Sequence, residues 1–136
     1  METHVPHHEQ RPWGEFLEFT RNSTTSVKII TVKANEALSL QTHQQRDEFW
    51  YVLSGTGVAQ KDTDVIQIKA GDTISIPRTT PHRLSGISEL KVLEISTGKF
   101  DDNDIIRLED KYGRASRDNP AAKPWTHGSI LLNTFP

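Results

Sequence analysis

The sequence predicts an all-β fold, built as a small sandwich or barrel. Short β-branched or aromatic runs recur at intervals of roughly ten residues from Ser26 onward. Turn chemistry separates each run from the next, and no amphipathic helix is legible before residue 97.

Taken in order, "SVKIITVKA" (26–34) is the first run, short and β-branched. "EFWYVLSG" (48–55) sets Phe49, Trp50 and Tyr51 in a row and closes on Gly55. "GVAQ", "VIQIKAGD", "DTISIP" and "LKVLEISTG" repeat the theme. Between them, "SGTG" (54–57), "KDTD" (61–64), "AGD" (70–72) and "PRTTPH" (77–82) supply the Gly, Pro and Asp that tight turns use. "DDNDIIRLEDKYGR" (101–114) reads either as one short turn of helix or as a docked extended arm.

The ends differ in character. Residues 1–10 are polar and read as a flexible tail, in which His4, His7 and His8 are expected to be solvated. Residues 115–136, with Pro120, Pro124 and Pro136 and an apolar "ILL", read as an irregular arm laid on the domain or on a neighbouring subunit. Residues 11–114 are left as the folded domain.

Composition narrows the function. A chain of 136 residues suits one domain. With 34% hydrophobic residues, it holds no apolar run near the ~18 residues that span a bilayer. The opening "METHVPHHEQRPWGEF" lacks the apolar run of a secretion signal, so a cytoplasmic location and no membrane partner are expected. The absence of cysteine removes disulfides, thiol nucleophiles and thiolate metal sites together. A net charge of −2 with interspersed signs gives no case for a nucleic-acid partner.

Two segments carry chemistry. In "LSLQTHQQRDEFW", Gln41 and His43 stand at i and i+2, the same face of a strand, and Glu48 opens the next run. In "GDTISIPRTTPHRL", Pro81 stiffens the backbone just before His82. Two imidazoles and a carboxylate, with an amide oxygen as a fourth donor, suit a divalent Zn, Fe, Mn or Co ion and leave positions open for water or substrate. The structural alternative is that these side chains are merely buried and hydrogen-bonded.

These segments resemble the paired motifs of the cupin superfamily, G-x5-H-x-H-x3,4-E-x6-G and G-x5-P-x-G-x2-H-x3-N. Here they read Gln41-x-His43-x4-Glu48-x6-Gly55 and Gly71-x5-Pro77-x4-His82. Asn35 stands for the first glycine, Gln41 for the first histidine, Thr79 for a glycine and Gly86 for the asparagine. The flanks "RPWGEF", "IPRTTPHRL" and "DIIRLEDKYGR" narrow the resemblance to the type II mannose-6-phosphate isomerases, a family that also uses glutamine at the position of Gln41. Departures are Gln44 and Gln45, where family members often carry histidines, and Phe49, where a histidine commonly follows the glutamate.

The resemblance implies a cupin domain: a double-stranded β-helix, or jelly-roll barrel, of two antiparallel sheets, forming a homodimer. It implies a divalent metal held by Gln41, His43, Glu48 and His82, and a small sugar phosphate as substrate. Glu48 and Arg114 are the expected catalytic residues, with Arg46, Trp50, Lys111 and Tyr112 binding substrate. Trp50 offers either a sugar platform or core packing. Phe49 and Tyr51 face the other way, towards sheet packing or a dimer interface. With ten residues ahead of Arg11, the guanylyltransferase domain that precedes this unit in many bacteria, and its activity, are expected to be absent. The other readings are a sugar-binding or regulatory cupin without turnover, and a dioxygenase or epimerase acting on another substrate.

Overall fold

A computed structural model of the protein describes residues 7–19, 25–99 and 101–113. Among these the regular elements are all strands: β1 (His7–Arg11), β2 (Gly14–Glu18), β3 (Thr25–Val32), β4 (Leu40–Thr42), β5 (Arg46–Ser54), β6 (Thr56–Lys61), β7 (Asp64–Lys69), β8 (Thr73–Ile76), β9 (His82–Gly86), β10 (Leu90–Gly98) and β11 (Ile106–Glu109). No helix of the described residues is long and apolar enough to cross a membrane.

The strands form two antiparallel sheets. One is six-stranded, in the order β1-β2-β3-β10-β5-β8; the other is five-stranded, in the order β11-β4-β9-β6-β7. From β3 onward the chain repeatedly switches sheets, which makes a cupin jelly roll. That switching brings β4 and β5, nearly consecutive in sequence, together with the distant β9 around one end of the barrel.

Alternation along each strand sorts the side chains. In β10, Leu90, Val92, Glu94 and Ser96 are buried between the sheets, while Lys91, Leu93 and Ile95 are only half-buried on the outer face. The interior is therefore divided along its length. One part is apolar, around Val32, Val52, Leu84, Leu90 and Val92. The other is polar, around Ser26, Glu48, Glu94 and Ser96. On the outer face of the six-stranded sheet, register aligns Leu17, Ile29, Leu93 and Tyr51 across four strands, with Val27, Ile95 and Phe49 in the next row. Phe49, Tyr51 and Leu53 remain exposed there.

Two sequence boundaries are resolved. Residues 7–10, assigned to the tail by composition, join Arg11 in an edge strand on β2, and a His8–Glu15 contact of 2.9 Å adds to the backbone pairing. Backbone pairing at a sheet edge needs no apolar pattern, so periodicity does not reveal it. Ile106–Glu109 pairs with β4, which makes 101–113 a docked extended arm rather than a helical turn. Residues 115–136 lie outside the described residues.

Two of the motif departures have a backbone consequence. Asn35 and Thr79, which stand where the cupin pattern has glycine, adopt φ of 64° and 69°. Asparagine tolerates the left-handed region, but a β-branched threonine there is strained. Thr79 is held by its N–H, which donates to His43 O at 2.7 Å. Strain of this kind costs on the order of 1–3 kcal/mol, against roughly 0.5–1 kcal/mol of chain entropy that a glycine would cost. Thr79→Gly is therefore expected to raise stability by about 1 kcal/mol in urea unfolding. A loss of stability would mean that the threonine side chain makes a contact outweighing its strain.

Candidate metal centre and pocket

Each site residue arrives from a different part of the topology. β4 presents Gln41, and its register partner on β9 is His82. Glu48 lies on β5 in the opposite sheet, paired with Ser96 and Ile76. His43 follows β4, where the chain crosses between the sheets.

Hydrogen bonds fix both imidazoles in one tautomer. His43 Nδ1 lies 2.7 Å from Asp104 O, and His82 Nδ1 lies 2.7 Å from Thr80 O. A carbonyl oxygen only accepts, so each Nδ1 carries a hydrogen and each Nε2 is left to present its lone pair inward. Those Nε2 atoms stand 3.5 Å and 2.9 Å from Glu48 Oε1. This oxygen is buried and accepts no hydrogen bond. One candidate donor atom from each of the three residues falls within 4.8 Å of the others.

Arg46 meets the His43 lone pair, but the His82 lone pair 2.9 Å from a buried carboxylate oxygen is a costly arrangement unless a proton or a cation stands between them. The trio His43, Glu48 and His82 thus fits a divalent metal ion. The electrostatics agree. Burial pushes the Glu48 carboxyl up, but His82, His43 and Arg46 outweigh it and hold it well below the usual carboxylate range. Burial brings His43 down to about 4, helped by the charges of Arg46 and His82 and opposed by Glu48. For His82, burial alone would lower the pKa, and the contact with Glu48 raises it instead. A proton on His82 Nε2, which Glu48 favours, relieves the clash, and a metal ion bound there would take the place of that proton.

The surroundings brace the trio. The Asp104 carboxylate accepts the backbone N–H groups of Gln44 and Gln45 at 2.8 and 3.0 Å, pinning the turn that carries His43. Ser96 Oγ donates to Glu48 Oε2 at 3.3 Å. Gly98, at φ 117°, lies so close to this turn that an added Cβ would fall 2.4 Å from Gln45 O. Arg46 is buried against the trio, with Nη2 3.1 Å from His43 Nε2 and Nε 3.5 Å from Glu48 Oε2.

The trio opens into a cavity of about 400 Å³ between the sheets. That volume lies within the range of small-ligand sites. Gln41 lines it and is half-buried, its amide N–H donating to Ser39 O at 3.4 Å. Trp50 is almost fully buried; its ring packs edge-on to His82 at 5.6 Å, and its rim lines the cavity. Lys111 and Tyr112 are placed elsewhere. Lys111 Nζ donates to Asn35 O at 3.0 Å and to Glu36 at 3.1 Å, and Tyr112 donates to the same Glu36 carboxylate. Arg114 lies outside the described residues.

Sequence reasoning missed Glu94. It is buried, lines the cavity, and accepts Trp50 Nε1–H at 3.0 Å. Burial, then the nearby Glu48 charge, pushes its pKa up to about 7, against the pull of Lys28 and Trp50. The signal was present: Glu94 interrupts the inward series Leu90, Val92, Ser96 with an acid.

The family described as mannose-6-phosphate isomerase C-terminal matches residues 1–110. The chain belongs to this family. Curated relatives of this mannose-6-phosphate isomerase C-terminal chain include the xanthan biosynthesis protein XanB of Xanthomonas campestris, 37% identical over 76% of this chain and 23% of that protein. A mannose-1-phosphate guanylyltransferase of Escherichia coli is 36% identical over 82% of this chain and 24% of its own length. The chain thus spans about a quarter of the length of the curated relatives it matches. Among solved structures, the Streptomyces nucleoside dehydratase Pac13 superposes with a TM-score of 0.68 at 14% identity, covering 79% of this chain and 91% of that one. At that identity the likeness is one of fold.

Glu94 gives this family member a pH signature. Its carboxyl titrates near the ordinary 4.5 when unfolded and near 7 when folded. Between those values the unfolded chain has already released the proton that the folded chain keeps, so stability falls as pH rises through the window and then levels off. The full effect is at most roughly 3 kcal/mol. In chelator-treated protein, Glu94→Gln is expected to remove this fall, so its stability relative to wild type improves from pH 5 to pH 8 in urea unfolding. A difference that does not change with pH would show that Glu94 is already ionised.

Proposed function

We propose that the chain is a metal-dependent isomerase interconverting mannose 6-phosphate and fructose 6-phosphate. One observation carries this reading: in a chain of this family, the buried Glu48 oxygen and two imidazole lone pairs converge at one end of a cavity large enough for a sugar phosphate. Zn²⁺, Fe²⁺, Mn²⁺ and Co²⁺ all suit two imidazoles and a carboxylate, with Gln41 as the further donor. When bound there, such an ion supplies Lewis acidity that polarises the substrate's C1 and C2 oxygens.

The reaction moves one hydrogen from C2 to C1 and the carbonyl from C1 to C2. Glu94 is the acid of this chain placed to carry that proton. Among the described residues, the other acids lining the cavity are Glu48, occupied in the trio, and the exposed Asp102. In the forward direction the Glu94 carboxylate takes the proton from C2. The C–H electron pair becomes the C1–C2 double bond of an enediol, and O1 takes up a proton. Glu94 then returns its proton to C1 while O2 gives one up, and the ketose forms with no further reactant. The Trp50 N–H holds Glu94 in place through both steps.

The same reading takes the chain as a cytoplasmic homodimer, in keeping with its lack of cysteine. Its proposed contact is the outer face of the six-stranded sheet, supported by exposed Phe49, Tyr51 and Leu53. Sedimentation is expected to give a dimer for the wild type and a monomer for a Phe49→Lys, Tyr51→Glu variant. A wild-type monomer removes the contact.

The activity is tested by a coupled assay for fructose 6-phosphate, with Mn²⁺, Co²⁺ and Zn²⁺ added singly beside a chelated control. Turnover is expected to need metal. His82→Ala should lose bound metal and activity together. Glu94→Gln should keep its metal and lose roughly 10²–10⁴-fold in kcat. Absence of turnover from protein with metal bound would sink the isomerase and leave a different substrate or chemistry.

A further inference from the structure

A sugar phosphate needs a seat for its dianion, and the five cations that line the cavity among the described residues are not equivalent. Arg107, on β11 of the five-stranded sheet, is the register partner of Gln41 and so stands at the trio's end. Arg46 is buried on His43, Glu48 and Asp101 O. Arg83 is buried beside Glu109, to which its Nη2 donates at 3.0 Å. Arg11 and Lys28 differ from these. Both line the cavity, and both sit over the same Phe16 ring: Arg11 Cζ is 5.3 Å and Lys28 Nζ 4.7 Å from its centroid. The ring holds both cations at one side of the cavity, where each offers its charge to an anion.

Each cation already has a carboxylate beside it. Arg11 meets Glu9 at the exposed sheet edge, where a solvated ion pair contributes little. Lys28 Nζ lies 3.5 Å from buried Glu18, a long contact, and its register partner on β10 is Glu94, whose carboxyl it also attracts. A phosphate monoester, with about −1.5 to −2 charges at neutral pH, competes well with either.

The spacing suits the ligand. Strand order places β3, which carries Lys28, two strands from Glu48 on β5, with Phe16 and Arg11 on the next two strands. At about 4.8 Å per strand, Lys28 stands roughly 10 Å across the sheet from Glu48 before its own reach is counted. An open-chain hexose 6-phosphate held by its C1–C2 end at the trio extends over such a span. Backbone at Arg11 is set by β1 and by the Pro12–Trp13–Gly14 turn that follows, anchored by buried Trp13.

We infer that Arg11 and Lys28, mounted over Phe16, are the seat for the phosphate of the substrate. The inference rests on the isomerase reading for the sugar, whereas the anion itself can be tested alone. Inorganic phosphate is titrated by calorimetry into chelated full-length protein, as wild type, Arg11→Gln and Lys28→Met, with thermal melts confirming folding. Wild type should bind phosphate without metal, and each variant should weaken binding about tenfold or more. In the metal-loaded protein, kcat/KM for mannose 6-phosphate should fall by a similar factor, with metal content unchanged. Phosphate binding that disappears with the metal, or that both folded variants retain, overturns the seat. A wild type without turnover whose phosphate binding is still lost in the variants would sink the isomerase and leave the seat standing.

Discussion

The structure depends on one electrostatic arrangement: a buried carboxylate oxygen, Glu48 Oε1, faced by two imidazole nitrogens whose hydrogens are directed away to backbone carbonyls. Left alone, that arrangement costs free energy. It persists because the barrel over-determines it. His43 and His82 are each tied down from behind, and Glu48 is gripped by Ser96 and Arg46. The strained Thr79 and the Asp104 clamp act on the same turn.

Around this centre the interior is graded. Apolar packing fills one part of the barrel, and the inward positions of β3, β5 and β10 turn polar in the other. A sheet whose inner face is partly polar and whose outer face carries Leu17, Ile29, Leu93 and Tyr51 reverses the usual pattern of an isolated antiparallel sheet. The reversal follows from the site. The interior keeps room and polarity for a ligand, and the apolar area moves outward.

Membership of the mannose-6-phosphate isomerase C-terminal family fixes the context, because the curated relatives carry this unit as about a quarter of their length. The cavity of this chain is complete within the described residues in one respect that bears on chemistry. It holds the metal-fitting trio and a second carboxyl outside that trio, Glu94, on the strand next to Glu48. The two acids have opposite electrostatics, Glu48 pushed down by the imidazoles and Arg46, Glu94 pushed up by burial and by Glu48. That divergence is the pattern by which two carboxyls take different roles.

The sequence by itself determined the all-β class, the approximate strands, and His43, Glu48 and His82 as candidate ligands. These are legible because strand alternation and turn residues act over a few positions. Glu94 was legible in principle as an acid among inward apolar positions, but its meaning lay in Trp50, which is its neighbour only through the β5–β10 register. Only the tertiary structure decided the fates of the cations. Arg46 went to the trio, Lys111 to Glu36, and Arg11 and Lys28 to one ring. It also decided that His7–Arg11 is a strand. The reason is common to all of these cases. A long charged side chain or an edge strand takes its partner from whatever the fold brings near, and contacts between residues far apart in the chain leave no local periodicity to read.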